Sequence, residues 1–493
     1  MSRRIQLIAA ACLVAAFAVA CGGTTSSRSG GIGESGAALV GSGALAYVAI
    51  DSDLGSGQWQ QVDELLKKLP VRDRFLSELK KSLAEQKIDY ERDVKPALGP
   101  ELDVAAVAGA SAQDISYAAM TKPDSIEKAK ELVQKLDESS APASATRVVD
   151  GWLIVSDKQE MIDGVLKGSG SSLADASAFK DAFGQFPDDA LLKVYANGPQ
   201  VAKLVGLLSS GGFQPAVAAE TSPFGNLDWI AAAAVAEDNG LKFEGDAKTT
   251  DGSTVGGAPY ASELISGVPA DAFFFSTFHG RNAQDQLRNL QQNPGFGGAL
   301  GLLEQQLGIR LEDVLGLFEH ETAFYVRRGP GLPEFSVVFE APNTEQALGT
   351  IDRLATRLAT VAHARLGAEQ QDGLDVKTLN FGPVTVRWAG FDGRVLLTTA
   401  PTGIADYRAS GDKLGDDSAF KDALNNAGAP DKTIGLTYVN LADSFELIKS
   451  YAGLAGTELP PAVRENLKPL RSLVVYGSAK GDVTKFAAFL EVK

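Results

Sequence analysis

A block of six residues, Ser177, Ala178, Phe179, Lys180, Asp181 and Ala182, returns unchanged at Ser418, Ala419, Phe420, Lys421, Asp422 and Ala423, 241 positions later. Its neighbours keep step. Asp150 and Gly151, before the apolar run 152–155, match Asp392 and Gly393 before 395–397. Tyr195 and Asn197 match Tyr438 and Asn440, and Lys242 with Phe243 matches Lys485 with Phe486. Asp93, Val94 and Glu101 match Asp313, Val314 and Glu321 at an offset of 220, while Pro70 and Pro123 match Pro294 and Pro342. A chain that repeats itself in order over this length is expected to fold as two copies of one unit. The offset grows from about 220 to 242, so the second copy carries an insertion of about two dozen residues between Ala355 and Gly390. Apolar stretches at 375–379 and 384–388 around the turn 380–383 predict an extra hairpin there.

Each copy reads alike. A first strand (44–50 or 272–278) precedes two amphipathic helices around Pro70 or Pro294. Two strands follow, at 103–108 and 115–120 or at 322–326 and 335–339. A helix opens at Pro123 or Pro342, where the missing N–H does no harm. Next come the strand at 152–155 or 395–397, short helices through the repeated block, and a strand ending in Tyr195 or Tyr438. A helix and a closing pair, 229–236 with 241–247 or 473–478 with 484–490, complete the unit. Tight turns between consecutive strands favour antiparallel pairing. The expected class is α+β, with two tandem homologous repeats, each a mostly antiparallel sheet packed with helices.

The start of the chain carries a different message. Arg3 and Arg4 lead into fourteen uncharged residues, 7–20, and Ala18, Val19, Ala20 and Cys21 close the segment. Small side chains before a thiol read as a lipoprotein signal cut before Cys21, which takes the lipid. Ser2, Arg3 and Arg4 hint at twin-arginine export, yet Gln6 stands where such signals carry an apolar residue. The expected boundaries are a signal peptide at 1–20, a flexible Gly/Ser-rich tether at 21–43, repeat domain 1 at 44–248, a linker at 249–268, and repeat domain 2 at 269–493 with its extra hairpin near 370–390.

Charge and cysteine content narrow the function. The formal charge of −16 becomes −18 once Arg3 and Arg4 leave, which disfavours nucleic acid. The basic run Lys67, Lys68, Arg72, Arg74, Lys80, Lys81 and Lys87 reads as a solvated helix face. Of the two cysteines, Cys12 is lost with the signal, so the mature chain forms neither an internal disulfide nor a cysteine metal cluster.

The lipoprotein start, the first strand with Tyr47 and Val48 followed by an aspartate and a helix carrying Trp59, and the late Ser-Ala-Phe helix resemble the bacterial envelope family labelled domain of unknown function 3352. The resemblance spans nearly all of the mature chain. It implies an envelope protein of similar fold and supplies no functional residues, because the label records no activity.

The duplication serves as an internal control, since a feature present in one copy only is not required by the shared fold. The repeated block is architectural by this test, with Ser177 and Ser418 as helix N-caps and Phe179 and Phe420 facing the core. The histidines, His279, His320 and His363, all fall in the second copy. His320 and Glu321 begin like a zinc-protease motif, but Phe324 stands where its second histidine belongs. His279 beside Arg281 reads as a polar turn after a strand. Asp51, Ser52, Asp53, Leu54 and Gly55 open like a calcium loop, yet Ser56 and Val62 break the pattern, leaving a strand-to-helix turn. Gly295, Phe296, Gly297 and Gly298 lack the lysine of a phosphate loop and read as a helix connection.

The chain is therefore expected to be a lipid-anchored envelope protein, non-enzymatic, with a binding or scaffolding body and a contact groove between the copies. Two alternatives stay open. One is a carrier of an apolar or lipid ligand, suggested by Phe273, Phe274 and Phe275 and the alanines at 231–234. The other is a hydrolase without a recognisable motif. Cys21 is the assigned site, as the lipidation residue, and no catalytic, cofactor or metal residue is assigned. Expected partners are the membrane, through the lipid on Cys21, and an envelope protein or lipid. The expected location is the extracytoplasmic face of a bacterial membrane.

Overall fold

Burial alternates along stretches such as 227–233 and 435–438, because successive side chains point to opposite faces of the sheet. In the first half the strands are β1 (Ala46–Asp51), β2 (Glu101–Ala108), β3 (Ile115–Thr121), β4 (Ala145–Val149), β5 (Trp152–Ser156), β6 (Leu192–Asn197), β7 (Leu227–Glu237) and β8 (Gly240–Thr249). In the second they are β9 (Ala272–His279), β10 (Glu321–Arg327), β11 (Glu334–Glu340), β12 (Arg365–Gln371), β13 (Leu374–Asn380), β14 (Thr385–Phe391), β15 (Arg394–Thr398), β16 (Gly435–Asn440), β17 (Leu470–Lys480) and β18 (Val483–Val492). This computed structural model describes residues 31–85, 87–109, 111, 114–138, 143–210, 226–291, 304, 308–454 and 458–493. Cys21, the expected signal peptide and Gly295 to Gly298 lie outside the described residues.

Among the described residues the helices of the first half include α1 (Glu34–Ala37), α2 (Gly57–Lys67), α3 (Val71–Glu85), α4 (Ile126–Glu138), α5 (Gln159–Val165), α6 (Ser177–Phe183) and α7 (Gly198–Ser210). Those of the second include α8 (Ala283–Gln291), α9 (Leu311–Gly316), α10 (Thr344–Ala362), α11 (Gly403–Arg408), α12 (Ser418–Ala427), α13 (Leu441–Leu454) and α14 (Pro461–Leu467).

Among the described residues all ladders between named strands are antiparallel, and together they make one open sheet. Outward from its middle, the first half runs β8, β7, β6, β1, β2, β3, β5, β4. The second runs β18, β17, β16, β9, β10, β11, β15, β14 and then adds β13 and β12. The first eight positions of the two lists match strand for strand. The halves meet where β8 pairs with β18, and there Glu244 lies opposite Ala487, 243 positions later, the spacing that also relates Phe243 to Phe486. The middle of the seam thus pairs two residues that hold the same place in each half. Asp246 faces Lys485 across it, with the lysine Nζ 2.5 Å from the carboxylate.

Each half buries a core on one face of the sheet. In the first, Tyr47, Tyr195, Trp229, Ala231 and Ala233 meet Phe179 and Phe183 of α6 and Ile162 of α5. In the second, Phe275, Tyr325, Tyr438 and Phe489 meet Phe420 of α12 and Tyr407 of α11. On the opposite face α4 covers Leu153 and Val155, and α10 covers Trp388 and Val395. Three two-residue Asp-Gly turns close hairpins with positive φ at both positions: Asp150 and Gly151 (49° and 81°), Asp372 and Gly373 (46° and 77°), Asp392 and Gly393 (48° and 71°). Asparagine and aspartate tolerate this backbone better than most residues, and glycine tolerates it best.

Several expectations change here. Residues 32–43, expected as flexible tether, are part of the first core: Ile32, Ala37 and Val40 are fully buried, and Val40 bridges to Leu166. Their small side chains serve close approach instead of freedom, since a Cβ on Gly36 would fall 1.8 Å from the Asp103 carboxylate. The expected linker 249–268 is likewise docked in its later part, where Leu264 and Val268 belong to the second core. The halves join directly by the β8–β18 ladder. The N-caps lie one residue before Ser177 and Ser418, at Ala176, whose side chain makes no cap bond, and at Asp417, which accepts from Phe420 N–H. The hairpin at 375–388 forms as β13 and β14, but the strands without a counterpart in the first half are β12 and β13.

Candidate functional site

Three strands of the second half end side by side. The ladder places His279, last in β9, opposite Glu321, first in β10. His320 therefore stands just outside the sheet beside it, and Glu340 closes β11 one residue beyond Phe339, which faces Thr322. The turn after His279 comes close to the segment before His320: a Cβ on Gly280 would sit 1.4 Å from the Phe318 carbonyl oxygen, so only glycine fits there. Gly280 N–H also donates to His320 O at 3.3 Å.

One ligand atom from each of His279, His320 and Glu340 lies within 4.8 Å of the other two. His279 is exposed; His320 and Glu340 are half-buried. The two imidazoles lie edge to face with centroids 6.3 Å apart, and Tyr260 packs on His279 at 5.5 Å. His279 Nδ1 is 3.2 Å from Gly280 O, a contact that needs the proton on Nδ1 and leaves Nε2 with its lone pair. Glu340 accepts weakly from Glu321 N–H at 3.4 Å.

His320 and Glu340 also line a cleft of about 480 Å³ bounded by the starts of α8 and α10 and by α9. Its walls carry Glu312, Asp313 and Glu319 against Arg310. Arg310 pairs with Asp313 at 2.9 Å, Gln284 donates to Glu312 at 3.2 Å, and Glu319 accepts from Ala283 N–H. Asn282 and Asn343 use their side-chain oxygens to cap α8 and α10. Carboxylates outnumber cations in the lining, so the field favours a cation over an anion.

The first half tests whether the fold requires this arrangement. Asp51 faces Glu101 as His279 faces Glu321, Pro100 precedes Glu101 as His320 precedes Glu321, and Lys122 follows Thr121 as Glu340 follows Phe339. Thus a proline and a lysine stand where the second half has His320 and Glu340. Beneath α4 the first half encloses a cavity of about 60 Å³ lined by Leu83, Ile88, Val94, Leu98, Leu132 and their apolar neighbours.

The sequence profile of one family matches residues 6–144 and 127–492. The chain belongs to that family, described as protein of unknown function DUF3352. Its resemblance to the family on the residues around Tyr47 and Trp59 therefore holds for the whole chain. No match is found among curated proteins. One solved structure, "Structure of crystal form IV of TP0453", covers 45% of this DUF3352 chain and 76% of its own, at 9% identity and a TM-score of 0.24.

The remaining candidates resolve into structure. His363 is exposed and ends α10 in the left-handed conformation (φ 53°). Asp51 and Asp53 turn their carboxylates onto the N–H groups of Asp53 and Gly55, each at 3.0 Å, and Ser56 caps α2. Asp181 pairs with Lys248 at 2.9 Å and Lys421 with Asp416 at 3.3 Å. In the basic run, Lys67 and Arg72 pair with Asp63. Sequence reasoning missed Glu340, and it missed that His279 and His320 meet. The available signal was the confinement of all histidines to one copy.

Proposed function

We propose that this protein is a lipid-anchored component of a bacterial envelope, held through Cys21, whose folded body is a non-enzymatic binding or scaffolding unit. In this reading the two halves are tandem homologous repeats. The acidic cleft of the second half carries the reading, because its lining is rich in carboxylates and its His320 and Glu340 are not shared by the corresponding positions of the first half, Pro100 and Lys122. The seam supports a scaffold: a ladder running from Gly240 to Lys248 on β8 ties the halves without a hinge. Among the described residues no helix is long and apolar enough to cross a membrane, which suits attachment by lipid. With residues 32–43 docked, only eleven residue steps separate Cys21 from Ile32, a reach of about 35–40 Å. The body would stand close to the bilayer.

Two measurements test this. Cys21→Ser should move the protein from the membrane to the soluble fraction with its melting temperature unchanged, and retention in the membrane would reject the anchor. A photo-crosslinking residue at Gln346, in the cleft, should capture a cellular partner, while one at Val148 on the outer strand β4 should not. Equal capture at both positions, or turnover of substrates in a hydrolase panel that is lost on substitution in the cleft, would reject the binding reading.

The apolar cavity of the first half favours a lipid carrier as the second reading. Its volume of about 60 Å³ falls well short of an acyl chain, so α3 and α4 would have to part. Native mass spectrometry of the purified protein decides it through the presence or absence of bound lipid.

A further inference from the structure

We propose that His279, His320 and Glu340 form a binding site for one divalent first-row transition cation, with zinc the best fit to the ligand chemistry. This inference does not depend on the anchor or on the scaffold reading. It begins from the strand register, which brings together three residues separated by 41 and 20 positions in the chain. Two imidazoles and one carboxylate are a common donor set for zinc sites that keep an open position, and they also suit other borderline cations.

Geometry supports the assignment. The ligand atoms lie within 4.8 Å of one another, whereas bonds of about 2.1 Å in a tetrahedral site place ligands about 3.4 Å apart. A cation would therefore draw them together by at most about 1.4 Å, within reach of side-chain rotation at the exposed His279. The contact from His279 Nδ1 to Gly280 O sets the tautomer that offers Nε2 to a metal, the outer-sphere arrangement usual for metal-bound histidine. Glu340 keeps one oxygen free, because the other accepts from Glu321 N–H. The carboxylates of the adjoining cleft lower the cost of bringing in a dication.

The duplication supplies an independent argument. At the corresponding register positions of the first half stand Asp51, Pro100 and Lys122, which form no such donor set. Three protein ligands leave a fourth position, and since His320 and Glu340 line the cleft, that position opens toward it. A water molecule or a ligand oxygen entering the cleft would complete the coordination.

The experiment uses the full chain in detergent with Cys12→Ser and Cys21→Ser, so that no thiol competes. After chelator treatment it is titrated with cobalt(II), whose visible d–d absorption reports a site of low coordination number, and then with zinc to displace the cobalt. One cobalt per chain, displaced by one zinc, is expected. His279→Ala, His320→Ala and Glu340→Gln should each weaken binding about tenfold or more. His363→Ala, at the distant end of α10, should bind as the parent does. Because His279 is exposed, His279→Ala keeps the fold, and circular dichroism checks this for every variant. Absence of a stoichiometric band up to millimolar cobalt, undiminished affinity in the three variants, or an equal loss in His363→Ala would overturn the assignment.

Discussion

Glu321 is almost fully buried, and its carboxylate accepts from Ser262 Oγ, Thr277 Oγ1 and the N–H groups of Glu263 and Leu264. Glu101 does the same work in the first half by accepting from Gly33 N–H at 3.0 Å. In each half, then, one glutamate on the second strand holds the segment that leads into the core. Glu321→Ala would leave several buried donors without an acceptor. It should cost about 3 kcal/mol, seen as a lower urea midpoint at unchanged slope. Asp93 shows a charge-based version of the same device. The Arg92 guanidinium, bonded at 2.9 Å to both carboxylate oxygens, holds Asp93 well below the usual carboxylate range, aided by Asp89 N–H and Lys135. An unfolded aspartate titrates near 3.9, so this stabilisation is complete above about pH 4 and fades as pH falls toward the lower folded value. The gap in urea midpoint between the parent and Asp93→Asn should therefore narrow between pH 6 and pH 2. A gap that stayed constant would show that the charge plays no part.

The seam is the element on which the architecture turns. Asp246 is 2% exposed and burial pushes its carboxyl up, against the pull of Lys485. Removing that partner with Lys485→Met leaves a buried carboxylate alone, so a loss of about 3 kcal/mol is expected in chemical denaturation. Strands were legible in the sequence where alternation or an Asp-Gly turn marked them, as at 152–155 and 395–397. β4 and β12 were not. β12 reads Arg365, Leu366, Gly367, Ala368, Glu369, Gln370, Gln371 and is mostly exposed, with neither alternation nor an apolar run to announce it. An outermost strand needs little buried surface, because its ladder partner supplies the hydrogen bonds. Small residues misled in the opposite direction. At 32–43 they looked like a loose tether, yet Gly36 is small because Asp103 and Tyr47 occupy the space a side chain would need.

At the scale of the molecule, the sheet can continue across the two halves only because β8 and β18 are both edges. A chain ending near residue 250 would present β8, ten residues with an open row of backbone groups, and should associate through it. Size-exclusion chromatography of residues 1–250 is expected to show dimers or larger species, and a clean monomer would argue that β8 is protected in some other way. The sequence by itself determined the α+β class and the repeated order of strands and helices, and it marked strands at 375–379 and 384–388, of which only the first belongs to the added pair. It could do so because alternation, turn chemistry and repeated spacing are local properties of a chain. Only the tertiary structure decided that the halves share one sheet, that 32–43 and 264–268 are core, and that His279, His320 and Glu340 meet. Those facts depend on ladder register and edge pairing between residues tens to hundreds of positions apart, and no local preference encodes which strand end will lie beside which.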